Sequence, residues 1–209
     1  MISPQIRILS VDDHLLLRKG IAAVIEEEHD LLLVGEAATG QEAIERFWEL
    51  RPDVTLMDLQ LPDMNGIDVI AAIRKDFPKA RIVVLTTYRG DIQALRAIEA
   101  GASGYLLKTM IRKDLLETIR TVHSGRRHIP PEVAAGLADH VAMDQLSERE
   151  IAVLTMVARG TSNKNIAAEL GVTESTIKGH MSSILSKLGA NDRTHAVTIA
   201  MRRGFIDPI

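Results

Sequence analysis

Cysteine is absent from all 209 residues of the chain, which excludes disulfide bonds and thiolate metal sites. No apolar run approaches the roughly 20 residues that a membrane-spanning helix needs. The amino terminus, MISPQIRILSVDD, becomes acidic too early for a secretory signal. No G-x-x-x-x-G-K-[ST] loop is present, which argues against a nucleotide enzyme. With 46% hydrophobic and 25% charged residues, the chain is predicted to be globular and cytoplasmic, without a membrane partner.

Excess charge of either sign is also small, since the formal net charge is −3. The two ends of the chain nevertheless differ in sign. Residues 1–124 carry 15 basic and 19 acidic side chains (net −4), whereas residues 146–209 carry 8 basic and 6 acidic ones (net +2). This asymmetry has the sign expected for a domain with an acidic site followed by a domain that binds nucleic acid.

The first 124 residues alternate short apolar runs with stretches of helical periodicity. The predicted strands are 6–11, 31–37, 54–57, 81–87 and 103–107, and the predicted helices are 15–28, 41–51, 66–77, 91–100 and 111–124. Strands that are nearly continuous in apolar residues are typical of a sheet that is buried on both faces. Residues 1–124 are therefore predicted to form an α/β domain with a doubly wound parallel sheet.

The remainder of the chain is predicted to be a linker followed by an all-α domain. Residues 125–145 begin with GRRHIPPE, which has the composition of a linker, and 131–141 could form a short helix. Residues 146–209 contain only helix and turn signals, including a capping box at Ser147–Glu150. Their predicted helices are 148–158, 163–170, 174–188 and 192–203.

Polar and charged residues follow four of the predicted strands. Asp12 and Asp13 follow the first strand, Asp58 the third and Lys108 the fifth, while the fourth ends on Thr86 and Thr87. Ligands of doubly wound sheets bind outside the carboxyl ends of the strands, so these residues are expected to converge. Any one of them alone would suit a helix cap or a solvated strand end, and only their joint placement indicates a site.

Three carboxylates in one pocket repel one another, so a proton or a cation is expected to join them. Oxygen ligands without Cys or His suit Mg²⁺. A carboxylate neutralised in this way can act as a nucleophile and form an aspartyl-phosphate, which Lys108 would help to stabilise. A hydroxyl such as that of Thr86 could hydrogen-bond the attached phosphoryl group.

Asp12-Asp13, Asp58 within MDLQLPDMNG, Thr86, and Lys108 within GYLLK resemble the residue set of the bacterial response-regulator receiver domain, over about residues 5–122. The resemblance implies a (βα)5 flavodoxin-like fold and transfer of phosphate from a histidine kinase to Asp58. It also implies that Asp13, Asp58 and the Gln60 backbone carbonyl bind Mg²⁺, with Asp12 acting partly through water. Thr86, whose spacing to Lys108 is better than that of Thr87, would form a switch with Tyr105.

The helix predicted at 174–188 has one apolar stripe and one small, polar face. The stripe contains Ile177, Met181, Ile184, Leu185 and Leu188, and the opposite face contains Ser175, Gly179, Ser182, Ser183 and Ser186. Lys178 and His180 lie on the two flanks of this polar face. Taken alone, this pattern suits an ordinary surface helix. The preceding helix and its Gly-containing turn instead indicate a helix-turn-helix that enters a major groove.

Residues 146–197 resemble the four-helix DNA-binding domain of LuxR/NarL-type regulators in their capping-box start, SNK-x-IA segment, TIKGH helix and NDRTHAV ending. The resemblance implies contacts with double-stranded DNA from Lys178, His180 and Ser182, and phosphate contacts from Lys164 and Arg193. Thr176 and Gly179, on the same helix, complete the expected DNA-binding set. Because Gly179 and Ser182 are small, base recognition is expected to depend on few side chains.

Three hypotheses follow for the whole chain. The first is a transcription factor of a two-component system, in which phosphorylation of Asp58 favours a homodimer that binds two half-sites. The second is a Mg²⁺-dependent phosphohydrolase, but such enzymes usually carry a second Asp where this chain has Gln60. The third is a DNA-binding regulator whose receiver is a constitutive dimerisation module. The complete set of acidic residues argues against this third hypothesis. We therefore expect no enzyme activity beyond the receiver's own phosphorylation and dephosphorylation.

Overall fold

The computed structural model of the protein describes residues 4–87, 91–131, 133–135 and 146–206. The chain divides into two compact units, the first built chiefly from residues up to 131 and the second chiefly from those that follow. No helix among the described residues is both long enough and apolar enough to cross a membrane.

The first unit alternates strands and helices, as the periodicity predicts. Its strands are β1 (Ile6–Val11), β2 (Leu31–Ala37), β3 (Val54–Asp58), β4 (Ile82–Thr86) and β5 (Gly104–Leu107). Its helices are α1 (Leu15–Glu26), α2 (Gly40–Leu50), α3 (Gly66–Asp76), α4 (Asp91–Glu99) and α5 (Ile111–His123). A 3₁₀ turn, Lys108–Met110, joins β5 to α5. The predicted α1 extends two residues too far, because Glu27 caps the helix and the Glu28 amide donates to the Ile25 carbonyl in a tighter turn.

The five strands form one parallel sheet in the order β2-β1-β3-β4-β5. Every residue of β3, β4 and β5 is buried, which explains why these strands are continuous in apolar residues. Side chains from the sheet, α1 and α5 share one buried cluster, which includes Ile8, Ile21, Ile25, Leu56, Leu85, Leu115 and Ile119. The sheet is therefore held rigidly enough to fix the positions of the residues at its carboxyl ends.

The first residues of the predicted linker lie against the edge of the sheet. The Tyr105 amide donates to the His128 carbonyl at 2.8 Å, and the His128 amide donates to the Ser103 carbonyl at 3.2 Å. His128 thereby forms a parallel bridge with Gly104 of β5. The helix considered for 131–141 falls mostly outside the described residues, although residues 131 and 133–135 are helical. The domain boundaries at 124 and 146 stay a prediction.

From residue 146 onward, the described part of the second unit contains four helices: α6 (Glu148–Ala158), α7 (Asn163–Glu169), α8 (Glu174–Leu188) and α9 (Arg193–Arg203). Each begins at a side-chain cap, namely Ser147, Ser162, Thr173 and Asp192. The predicted capping box at Ser147 and Glu150 is confirmed. The core of this unit includes Val153, Leu154, Ile166, Ile177, Ile184, Ala196 and Ala200.

Candidate functional site

The acidic residues lie together at the carboxyl edge of the sheet because their strands are in register. Val11 of β1 pairs with Met57 of β3. Asp12 and Asp58, which directly follow these two residues, therefore lie side by side. Both are buried, at 0% and 2% exposure, whereas Asp13 is exposed. Two carboxylates are therefore held in a shielded position and a third lies at the entrance.

Lys108 joins the two buried carboxylates. Its Nζ lies 2.7 Å from Asp58 Oδ2 and 2.7 Å from Asp12 Oδ2. The 3₁₀ turn that begins at Lys108 directs the side chain toward the acids as the chain leaves β5. The predicted convergence of Asp12, Asp13, Asp58 and Lys108 is therefore present in the fold.

The pKa values at this site are shifted by burial and by neighbouring charges. Burial raises the pKa of Asp58, and Asp12 adds to that effect, while Lys108 and the Gln60 amide oppose it. For Lys108, burial acts to lower the pKa, but its contacts with Asp12 and Asp58 raise it overall. The site thus favours the ammonium form of Lys108 while ionisation of Asp58 remains costly.

Asp12, Asp13, Asp58 and His14 each offer a ligand atom, and these atoms lie within 4.8 Å of one another. Three carboxylates and one ammonium leave an excess of two negative charges, which a divalent cation would neutralise. His14 directly follows the acid pair along the chain. It is exposed, but its Nδ1 also lies 2.6 Å from Asp13 Oδ1. The oxygen-rich set suits a hard divalent cation.

The loop after Asp58 folds closely around that residue. The Gln60 amide donates to Asp58 Oδ1 at 3.2 Å, and the Gly66 amide donates to the Leu59 carbonyl at 2.8 Å. A Cβ on Gly66 would lie 2.1 Å from the Asp58 carbonyl oxygen, so only glycine permits this approach. The loop therefore holds Gln60, whose carbonyl is predicted to bind Mg²⁺, beside Asp58.

Thr86 and Tyr105 are both buried, at 2% and 1% exposure, whereas Thr87 is exposed. Asp58 pairs with Leu85 and Thr86 pairs with Leu107, so the Thr86 hydroxyl belongs to the same edge as Asp58 and Lys108. Burial raises the pKa of Tyr105, and a hydrogen bond with Thr86 opposes this shift. The two residues predicted to form a switch are thus hydrogen-bonded to each other.

Helix α8 of the second unit presents most of its predicted polar face to solvent. Thr176, Lys178, Gly179 and Ser182 are exposed, and His180 is partly exposed. A Cβ on Gly179 would meet nothing within 4 Å, in agreement with an outward position. Lys178 Nζ lies 3.1 Å from Glu174 Oε1 in an exposed ion pair.

The two predicted phosphate contacts outside α8 are exposed as well. Lys164 lies on α7, and Arg193 at the start of α9 donates to the Thr161 carbonyl at 3.2 Å. This hydrogen bond fixes the Arg193 side chain beside the turn between α6 and α7.

Ser183 does not belong to the solvent face of α8, contrary to the sequence prediction. Its Oγ donates to Glu150 Oε1 at 2.7 Å, and Lys187 Nζ lies 2.8 Å from Glu150 Oε2. Burial acts to raise the pKa of Glu150, but the bonds from Lys187, Ser183 and Ser147 lower it to about 2. The local sequence predicts only a capping role for Glu150, because its contacts with α8 depend on the tertiary fold.

Two known protein families match this chain, each over a different part of it. Residues 8–120 match the family described as response regulator receiver domain. Residues 144–200 match the family described as bacterial regulatory proteins, luxR family. The fold and the site thus define a two-domain protein with a receiver followed by a luxR-type helix-turn-helix domain.

The chain belongs to the response regulators of the LuxR/NarL type. It is 38% identical over 206 residues to "Response regulator protein VraR" of Staphylococcus aureus (strain NCTC 8325 / PS 47), covering 96% of this chain and 99% of the relative. The crystal structure of the response regulator ChrA, from a heme-sensing two-component system, is 35% identical, with a TM-score of 0.58 and coverage of 97% and 99%. RcsB of Salmonella enterica serovar Typhimurium, solved bound to promoter P1flhDC in the presence of phosphomimetic BeF3-, is 25% identical, with a TM-score of 0.73 and coverage of 93% and 97%.

Proposed function

We propose that the protein is a phosphorylation-controlled, DNA-binding transcriptional regulator whose Asp58 receives a phosphoryl group from a histidine kinase. The observation that carries the proposal is the position of Asp58, which is buried at the sheet edge beside a second carboxylate, Asp12, with Lys108 in contact with both. A structural ion pair would require only one acid, whereas this arrangement leaves negative charge that a proton or a cation would balance.

Asp58 acts as the nucleophile in the proposed reaction. A carboxylate oxygen forms a bond to phosphorus while the bond from phosphorus to the kinase histidine nitrogen breaks, and the imidazole leaves. Lys108, 2.7 Å from Asp58 Oδ2, is placed to stabilise the phosphoryl oxygens. Positioning and charge stabilisation supply most of the catalysis in such transfers.

Mg²⁺ fits the donor set better than a softer metal, since Asp12, Asp13, Asp58 and the Gln60 carbonyl offer oxygen atoms. When bound, it would neutralise the carboxylates and polarise the phosphoryl oxygens. Asp12 is held in place for this role by the His14 amide, which donates to Asp12 Oδ1 at 2.8 Å.

Thr86 and Tyr105 would transmit the phosphorylated state. The Thr86 hydroxyl would exchange its hydrogen bond with Tyr105 for one with the phosphoryl group, and the Tyr105 ring would repack. Such an exchange biases a two-state receiver, and the favoured state would form a homodimer.

The dimer would present two copies of α8 to successive half-sites of double-stranded DNA. The exposed Lys164, Lys178 and Arg193 would contact phosphates, and Thr176, Gly179, His180 and Ser182 would face the groove. The promoter complex of RcsB supports this assignment by analogy. A cytoplasmic location accords with such a role.

The protein is proposed not to be an enzyme that acts on a separate substrate. Gln60 stands where an aspartyl phosphohydrolase usually carries its general acid, so the receiver would assist only its own phosphoryl transfer and dephosphorylation. The alternative is a phosphorylation-independent DNA-binding regulator with a constitutively dimeric receiver.

Phosphorylation and DNA binding can be tested together. Wild type and Asp58→Ala are incubated with acetyl phosphate and Mg²⁺, and phosphate incorporation is measured by mass spectrometry. DNA fragments that bind the phosphorylated protein are selected from a random pool, and the affinity of both proteins for one such fragment is then measured with and without phosphodonor.

Wild type is expected to gain one phosphoryl group and to bind DNA more tightly after phosphorylation, whereas Asp58→Ala gains neither. Absence of phosphate on wild type would refute the proposal. Equal DNA affinity of both proteins under all conditions would instead favour the phosphorylation-independent alternative.

A further inference from the structure

The loop between β3 and α3, residues 59–66, carries the Gln60 carbonyl and is closed at its base. Gln60 and Asn65 form an antiparallel bridge, and the Gly66 amide donates to the Leu59 carbonyl. Asn65 in turn caps α3 by accepting from the Ile67 amide at 2.8 Å. The base of the loop is thus fixed by its own hydrogen bonds, whereas its tip, at Asp63, needs support from elsewhere.

Asp63 is fastened to the start of a different element, helix α2. Its Oδ1 accepts from the Gly40 amide at 2.7 Å, and its Oδ2 accepts from the Gln41 amide at 2.9 Å. We call these two hydrogen bonds the Asp63 bridge. They satisfy backbone amides in the first turn of α2 and place a negative charge at the helix amino terminus. The bonds from the Gln41 and Gly40 amides lower the pKa of Asp63, which remains ionised near neutral pH.

Close packing accompanies the Asp63 bridge. A Cβ on Gly40 would lie 2.3 Å from Met64 Cγ and 2.8 Å from Val69 Cγ2. Met64 therefore lies directly over the start of α2, and a residue larger than glycine at position 40 would require Met64 or Val69 to shift. The loop tip and the helix start form one packed contact.

The segment that receives the Asp63 bridge also contacts the other ligand-bearing loop. The Asp12 amide donates to the carbonyl of Ala37, the last residue of β2, at 3.1 Å. The next amide, that of Ala38, donates to Glu42 Oε2 at 2.9 Å. Residues 37–42 therefore touch both the loop that carries Asp12 and the loop that carries Gln60, although they contribute no atom to the acidic cluster.

We infer that Asp63 is a positioning residue for the metal site, which it serves by holding the loop of Gln60 at a fixed distance from Asp12 and Asp13 through residues 37–42. The inference rests on the proposed function, in which these groups bind Mg²⁺. Ligand atoms from two separate loops bind a small cation tightly only when their spacing is fixed before binding. Loss of the Asp63 bridge would allow the spacing to vary.

The test uses the full chain with Asp63→Ala, Asp63→Asn and the control Asp68→Ala. Asp68 is an exposed acid in the first turn of α3, five residues further on, so the control removes the same charge close to the same loop. Binding of Mn²⁺, as a probe for Mg²⁺, is measured by electron paramagnetic resonance. Phosphorylation by acetyl phosphate is then followed as a function of Mg²⁺ concentration.

Asp63→Ala is expected to weaken Mn²⁺ binding about three- to tenfold, somewhat less than for a residue that directly supports a metal ligand. The Mg²⁺ concentration for half-maximal phosphorylation should rise by the same factor, while the rate at saturating Mg²⁺ stays that of wild type. Asp63→Asn retains one acceptor oxygen, so its Mn²⁺ affinity and its half-maximal Mg²⁺ concentration should lie between those of wild type and Asp63→Ala. Asp68→Ala should match wild type in both.

A purely structural role for Asp63 would lower the maximal rate and leave the half-maximal Mg²⁺ concentration unchanged, which would overturn the inference. The same holds if Asp63→Ala binds Mn²⁺ as tightly as Asp68→Ala does. Failure of wild type itself to bind Mn²⁺ or to gain phosphate would refute the proposed function and the inference together, so the two failures are distinguishable.

Discussion

At the scale of single residues, the hydroxyl of Thr86 is the group through which Asp58 and Tyr105 can be coupled. Thr86 is buried, is hydrogen-bonded to Tyr105, and ends the strand next to that of Asp58. A hydrogen bond to a charged partner contributes roughly 1.5–3 kcal/mol, which exceeds a typical neutral one. Attachment of a phosphoryl group to Asp58 is therefore expected to attract the hydroxyl away from the Tyr105 side chain.

This reasoning predicts different results for Thr86→Val and Thr86→Ser. The Val variant keeps the shape of the side chain but has no hydroxyl, so Asp58 should still be phosphorylated while most of the increase in DNA affinity is lost. The Ser variant keeps the hydroxyl and should retain most of that increase. Phosphate incorporation and DNA affinity, each measured with and without acetyl phosphate, check both expectations.

Thr87→Val is the matched control, because Thr87 is the exposed neighbour of Thr86. It should behave as wild type in both assays. If Thr86→Val gained DNA affinity on phosphorylation as wild type does, the hydroxyl would have no part in the switch.

The residues at the strand ends could be predicted from the sequence because they follow directly from strand order. Once β1, β3 and β5 are recognised, Asp12, Asp58 and Lys108 have only one edge to occupy. The contact between His14 and Asp13 could not be predicted in this way, since it depends on a rotamer at the start of α1. Likewise, nothing in the local sequence pairs Asp63 with Gly40, which is 23 residues away.

At the scale of elements, Glu150 joins α6 to α8. It is buried at 4% exposure, and it accepts hydrogen bonds from Ser147, Ser183 and Lys187. Burial of a carboxylate is costly, and these donors offset that cost by stabilising its charged form. Loss of the charge would leave the donors without their partner. The orientation of α8, which carries the proposed DNA contacts, is expected to depend on it.

Glu150→Gln is predicted to lower the free energy of unfolding by roughly 2–3 kcal/mol at pH 7, because the ion pair with Lys187 is lost inside the fold. The folded-state pKa of about 2 lies below the ordinary value of 4.5, so the stabilisation is fully present above about pH 4.5. It should disappear as the pH falls toward 2. Urea unfolding followed by circular dichroism, at pH 7 and at steps down to pH 3, measures the difference between the two proteins.

Glu148→Gln provides the comparison, since Glu148 is an exposed acid in the same first turn of α6. Its stability should differ little from wild type at any pH. A gap between wild type and Glu150→Gln that stayed constant down to pH 3 would show that the charge of Glu150 is not what stabilises the contact.

Helix periodicity alone does not predict the contact between Ser183 of α8 and Glu150 of α6. The stripe of α8 was predicted correctly at Ile177, Met181 and Ile184, all of which are buried. Ser183 lies next to that stripe, and its small hydroxyl gives no signal that distinguishes a partly buried position from an exposed one. Only the approach of α6 supplies the carboxylate that draws Ser183 inward.

At the scale of the whole molecule, the proposed phosphoacceptor site and the proposed DNA contacts belong to separate compact units. Asp12, Asp58 and Lys108 lie in the first unit, whereas α8 lies in the second. Communication between them is expected to depend on dimerisation. The charge distribution supports this division, since the acidic excess falls in residues 1–124 and the basic excess in residues 146–209.

Separate sites predict separable defects. Lys178→Ala should weaken DNA binding at every salt concentration and reduce the slope of log affinity against log salt by about 1, because one phosphate contact is lost. It also leaves Glu174 without its ion-pair partner on the surface that is proposed to face DNA, which would add repulsion. Phosphate incorporation into Lys178→Ala should equal that of wild type. Its monomer–dimer equilibrium, measured by analytical ultracentrifugation with beryllofluoride and Mg²⁺, should also be that of wild type.

Asp58→Ala should show the reverse pattern, with no phosphate and no dimer formed on addition of beryllofluoride, but with an unchanged salt slope in its residual DNA binding. Lys75→Ala, which removes an exposed cation from α3 in the first unit, controls for the loss of one positive charge and should leave the salt slope unaltered. If Lys178→Ala abolished phosphorylation or dimerisation as well as DNA binding, α8 would have to contribute to the receiver's own equilibrium. The division into two sites linked by dimerisation would then be wrong.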